Sequence, residues 1–192
     1  MKRSMVFLVL ILLTSLPAAA QMPQASAANP LTSTLKGMFD GIKKNLTESA
    51  EKMPEANYAF KATPDVRSFG ELIGHVANAN YMLCSRVKGE KNPNDGNDFE
   101  KKTAKADLVK GLQDAVAYCD GVYGTATDAM AMELVKTGEP PNQREVPRAN
   151  WLIGNIAHNN EHYGNIVTYL RLKGIVPPST ERAQQMRRPS GH

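Results

Sequence analysis

Two histidines, His158 and His162, stand four residues apart in the stretch NIAHNNEHYGNIVTYLR (155–171). An α-helix turns once every ~3.6 residues, so an i, i+4 pair stacks on one face, close enough to grip a single ion. Imidazole suits zinc, nickel, copper or iron. Two such ligands make an incomplete site, and the rest of the chain must supply a third. No Ser/His/Asp order, Gly-rich phosphate loop or CxxC pair offers a rival chemistry.

The elements that must position these rings read as four helices. The first starts at Pro30, with Asn29 as its expected cap, and carries Leu31, Leu35, Met38, Phe39, Ile42 and Leu46 at helical spacing to about Met53, before Pro54. The second starts at Ser68, which forms a capping box with Glu71, and its stripe is Phe69, Leu72, Ile73, Val76, Leu83 and Val87. His75 lies at the edge of that stripe and is the candidate third ligand. Residues 89–102 are polar and form a long connection. The third helix, with Thr103 as its expected cap, carries Leu108, Leu112, Val116, Cys119, Val122 and Tyr123 to about Gly124. The stretch 125–146 fits a short helix or an extended passage around Ala129–Val135, broken at 138–141. The last helix runs from about Pro147 to Lys173 and stops at Gly174. No strand-forming run of any length is present, so the expected fold is an all-α four-helix bundle.

The ligand hypothesis selects a topology. His75 sits ~13 residues from the end of the second helix, and the His158/His162 pair is centred ~12 residues into the last. The rings are level if these two helices are antiparallel, and offset by ~7 Å if they are parallel. That favours an up-down-down-up bundle with a long crossover between helices two and three. The crossover must travel ~30 Å, and fourteen residues reach ~45 Å. The same arrangement puts Cys84 and Cys119 level, each ~16 residues into its helix. Nine residues separate Cys84 from His75, ~180° around the axis, so the thiol faces away from the imidazole. Cys84 and Cys119 can therefore form a disulfide; the alternative is two small buried thiols.

The remaining expectations concern the ends and the surface. Residues 1–20 combine Lys2 and Arg3, an apolar run and Ala18-Ala19-Ala20, the layout of a secretory signal peptide. Export to the periplasm or beyond follows from it. The apolar run is too short for a membrane span. Residues 21–29 read as a flexible N-terminus, 30–178 as one bundle domain and 179–192 as a disordered tail. The formal charge of +4 falls to +2 once Lys2 and Arg3 are removed, and no clustered basic face points to nucleic acid. A homodimer is compatible with this reading. Asn155, Asn159, Asn160 and Glu161 are the nearest groups that could accept the second ring N–H of a ligating histidine, although Glu161 reads as solvated.

With these residues placed, the chain resembles the DinB/YfiT-like family of metalloenzymes over roughly Pro30–Pro178. The carriers are SFGELIGHVANAN around His75 and AHNNEHYGNIVTYLRLKG around His158 and His162. The family's run after the H-x-x-x-H pair reads here Gly164-Asn165-Ile166…Tyr169-Leu170-Arg171, with Asn165 where Gln is common. The resemblance implies a crossed four-helix bundle and one divalent ion, zinc or nickel first and iron or copper after them, held by His75, His158 and His162. Three imidazoles leave an open position, the catalytic rather than the closed pattern. The implied function is a metal-dependent hydrolase or transferase acting on a small molecule through activated water or thiol. The alternative is a non-catalytic bundle that binds metal or a partner.

Overall fold

The computed structural model describes residues 28–188. The expected signal peptide and most of the 21–29 segment lie outside the described residues. The order is α1 (Pro30–Lys52), α2 (Phe69–Lys88), α3 (Lys105–Thr125), α4 (Asp128–Met132), strands β1 (Leu134–Thr137) and β2 (Arg144–Pro147), α5 (Ala149–Leu172) and α6 (Pro178–Arg187). The four long helices form the bundle. α1 and α2 each pack against both α3 and α5. Phe39, Leu46, Phe69, Ile73, Leu112, Leu152, Ile166 and Leu170 fill the space between them with almost no exposure.

Side-chain pairs give the helix directions. Phe69 and Tyr169 meet at 6.3 Å between ring centroids, while Arg86 lies 4.8 Å over the Trp151 ring. The start of α2 thus faces the end of α5, and the two are antiparallel. Gly70 lies against Leu108 near the starts of α2 and α3. Cys84 and Cys119, near their ends, are joined by a disulfide with a Cα–Cα distance of 5.5 Å. Those two helices are parallel. Phe39 stacks on Tyr123 and Gln113 bonds to Glu51, so α1 is antiparallel to α3. The bundle is up-down-down-up.

Local chemistry explains the helix ends. Ser68 Oγ accepts from Glu71 N at 3.2 Å, and Ser68 N donates to Glu71 Oε2 at 2.6 Å, closing the capping box at α2. Arg148 ties the start of α5 to the end of α2, donating from Nη1 to Val87 O at 2.7 Å, where open helix carbonyls favour a cation. At α1 the expected cap is corrected. The Asn29 side chain does not cap its own helix but accepts from Asp128 N at 2.9 Å. The Asp128 carboxylate in return accepts from Leu31 N at 3.1 Å and Thr32 N at 2.8 Å. Likewise, α3 starts after Ala104, and no side chain caps it.

Two further expectations change. The 125–146 connection holds both a helix and an antiparallel hairpin, with Val135 paired to Val146 and Lys136 to Glu145. Its strands are four residues each and too polar to read from period. Residues 179–187 of the expected disordered tail are helical, within α6. There Arg182 pairs with Glu48 and Asn45 of α1, and Tyr163 donates to Ser179 at 2.7 Å. The polar composition of this segment hid a helix held by ion pairs rather than by an apolar stripe.

Candidate metal centre

α2 and α5 bring His75, His158 and His162 together. His158 Nε2 lies 3.1 Å from His75 Nε2 and 3.1 Å from His162 Nε2. One nitrogen from each ring can be chosen so that all lie within 4.8 Å of one another. The registry is held one turn along the same seam by buried carboxamides. Asn80 Oδ1 accepts from Asn155 Nδ2 at 2.9 Å and Asn159 Nδ2 at 3.1 Å, and Asn80 Nδ2 donates to Asn159 Oδ1 at 2.9 Å. Tyr123 OH donates to Asn155 Oδ1 at 3.1 Å. All three asparagines are fully buried, so each bond counts at low dielectric.

Electrostatics keep the α5 rings neutral. Burial, then the neighbouring His162, His75 and Arg67, pushes His158 down to about 4. Burial, then His75, also holds His162 below the ordinary histidine value. Neutral rings offer lone pairs, and nitrogen lone pairs pointed at one another are repulsive unless a proton or cation lies between them. For a tetrahedral ion with ligands at ~2.1 Å, neighbouring nitrogens stand ~3.4 Å apart. The 3.1 Å separations are close to that spacing, so the donor set fits a divalent ion. His158 Nδ1 is buried without a partner among the described residues.

The carboxylate nearest the site was not legible in the sequence. His75 Nδ1 lies 2.8 Å from Glu100 Oε1, on the ring side away from the other histidines. Glu100 belongs to a 3₁₀ turn, Phe99–Lys101, in the crossover. Burial raises the Glu100 pKa, but hydrogen bonds from Arg67 and His75 outweigh it and hold the group below the usual glutamate value. The turn sits in a notch made by two helical glycines. A Cβ on Gly74 would overlap the Phe99 carbonyl, and one on Gly111 would overlap the Phe99 ring. Asn78 secures the same turn, accepting from Phe99 N at 3.1 Å and donating to Asp98 Oδ1 at 2.8 Å. The available signal was Phe99 itself, a lone aromatic in a polar run. Of the groups expected around the ligands, Asn155 and Asn159 belong to the Asn80 network. Asn160 bonds to Ile156 O at 2.8 Å, and Glu161 is exposed. Asn165 Nδ2 is 3.4 Å from His162 Nδ1; with the amide turned over, its oxygen would accept an Nδ1–H there.

A pocket of about 350 Å³ opens beside the triad, lined by His75, His158, Glu100, Asn78, Met82 and the crossover residues Asn92 and Asn94–Asn97.

The profile of the DinB superfamily matches residues 38–166. The chain belongs to the DinB superfamily. The fold is shared with a DinB-like protein from Bacillus cereus (TM-score 0.61, 14% identity, 76% of this chain and 95% of that one). It is shared too with a DinB-like protein from Bacillus subtilis (TM-score 0.60, 19% identity, 73% and 92%). A third is YfiT from Bacillus subtilis, described as a probable metal-dependent hydrolase with an unusual four-helix bundle topology (TM-score 0.56, 14% identity, 80% and 94%). No curated protein matches the chain. No helix among the described residues is long and apolar enough to cross a membrane.

Proposed function

We propose that this DinB-superfamily protein is an exported metal-dependent hydrolase or transferase in which His75, His158 and His162 hold one divalent ion. Zinc or nickel are the first candidates. The observation that carries the reading is the convergence of three imidazole edges beside an open pocket. Packing alone gives no reason to face three ring nitrogens at one another. A divalent ion bound there would supply Lewis acidity, enough to bring the pKa of water or a thiol near ~7.

The chain's own groups do the rest. α2 and α5 hold the rings level through the Asn80 network, which excludes water from one side. On the other side the pocket admits a small molecule, with Met82 and Ala79 as its apolar wall and crossover asparagines as polar partners. The N-terminal Lys-Arg, apolar and Ala-Ala-Ala layout supports export.

The test is a tag-free mature protein, reconstituted with zinc and dialysed. One equivalent of zinc in the wild type and none in His162→Ala supports the reading; no saturable zinc in the wild type overturns it. Ester, amide and thiol-conjugate panels, with and without chelator, then separate an enzyme from a metal-binding bundle. Fractionation of the source cells, with N-terminal mass analysis, tests export.

A further inference from the structure

We propose that Glu100 is the positioning residue of this site: it fixes His75 with its proton on Nδ1 and its Nε2 lone pair aimed at the two α5 histidines. Arg67 holds Glu100 in that pose. The inference rests on the metal reading for its purpose, but the orientation itself can be tested without metal.

The geometry is one-sided. His75 offers two ring nitrogens on opposite edges. Nε2 faces His158 at 3.1 Å, and Nδ1 faces Glu100 Oε1 at 2.8 Å. An ionised carboxylate can only accept, so whichever nitrogen faces it must carry a proton, and here that nitrogen is Nδ1. That leaves Nε2 bare toward the other rings. A carboxylate on the far side of a ligating imidazole fixes the tautomer and ring orientation and raises ligand basicity. The other Glu100 oxygen accepts from Arg67 Nε at 2.9 Å, and the Arg67 carbonyl in turn accepts from Tyr169 OH on α5. The pose of Glu100 is therefore referred back to the helix that carries the other two ligands.

His75 is also the ring that most needs such a partner. His158 and His162 share one helix, and their spacing is set by its pitch. His75 comes from a different helix and has no such constraint.

Glu100 is not needed to seat the crossover. Phe99 occupies the Gly74/Gly111 notch, Asn78 binds Phe99 N, and Asp98 Oδ1 accepts from Glu100 N at 3.0 Å through the backbone. Truncating its side chain leaves those contacts in place. A role in orienting His75 and a role in holding the loop therefore predict different outcomes.

The experiment compares wild type, Glu100→Gln, Glu100→Ala and Arg67→Gln. Imidazole ¹⁵N spectra of the metal-free proteins at pH 8 report the His75 tautomer directly. The wild type should show Nδ1–H; Glu100→Ala should shift His75 toward Nε2–H, with the α5 rings unchanged. Zinc affinity by chelator competition should fall about 10–100-fold in Glu100→Ala. Glu100→Gln, whose carbonyl still accepts, and Arg67→Gln should fall between it and the wild type. The same His75 tautomer in wild type and Glu100→Ala overturns the proposal. So does zinc affinity within twofold of wild type accompanied by a lower melting temperature, the signature of a loop-holding role. If the wild type binds no zinc, the metal reading fails, and the tautomer measurement still decides the role of Glu100.

Discussion

Replacing Gly74 by alanine should disturb the site through the backbone of a loop that never touches the ligand atoms. A Cβ at Gly74 would stand 2.7 Å from Glu100 N and closer still to the Phe99 carbonyl group. These neighbours are main chain, so no rotamer change can relieve the overlap; the 3₁₀ turn must move. Overpacking of this kind costs about 1–3 kcal/mol. Against it stands a helix-propensity gain of about 1 kcal/mol for alanine over glycine. The net expectation is a loss of up to about 2 kcal/mol. Because the displaced atom is Glu100's own nitrogen, zinc affinity should fall as well, within the 10–100-fold range of lost outer contacts. Gly121→Ala is the control. Gly121 is also helical, but nothing lies within 4 Å of the added carbon, so it should gain up to about 1 kcal/mol. Urea midpoints of the metal-free proteins and zinc competition read both effects. If Gly74→Ala proves as stable as Gly121→Ala with unchanged zinc affinity, the notch does not position the turn.

Further outcomes follow from other contacts. Asn80→Ala leaves the amide donor of Asn155 buried without an acceptor and Asn159 Nδ2 with only its 3.4 Å bond to Asn155 Oδ1, a loss on the order of 3 kcal/mol; Asn160→Ala, at an exposed position, should change the urea midpoint little. The Cys84–Cys119 bridge spans 35 residues, so the Cys84→Ala, Cys119→Ala double variant should be less stable by roughly 4 kcal/mol. Two reactive thiols in denaturant without reductant would show the bridge is absent. For pH, His158 titrates at about 4 in the fold and near 6.5 when unfolded. Between those values the unfolded chain binds the extra proton, so metal-free stability falls as pH drops from 6.5 toward 4. His158→Asn should lose that part of the slope, and identical pH profiles for the two proteins would refute the assignment.

The parts of the fold carried by period and by local chemistry could be read from the sequence. The α2 capping box needs only Ser68 and Glu71, and the helix stripes need only apolar spacing. His75 could be matched to His158 and His162 because position along a helix is a linear quantity. Partners that depend on three-dimensional approach could not be read this way. Glu100 lies 25 residues from His75, and no local pattern distinguishes it from its solvated neighbours in a polar loop. Asn155 and Asn159 look like exposed polar positions until Asn80, on another helix, satisfies them. α6 lacks an apolar stripe, so the periodic signal that found the other long helices is absent from it.

Because Asp128 supplies the acceptors for Leu31 N and Thr32 N, the start of α1 is completed by a residue 97 positions beyond Leu31. At about 5–20 residues per second of synthesis, that acceptor arrives roughly 4–15 s after Lys52 completes the helix. Until then the first turn has open donors and can fray.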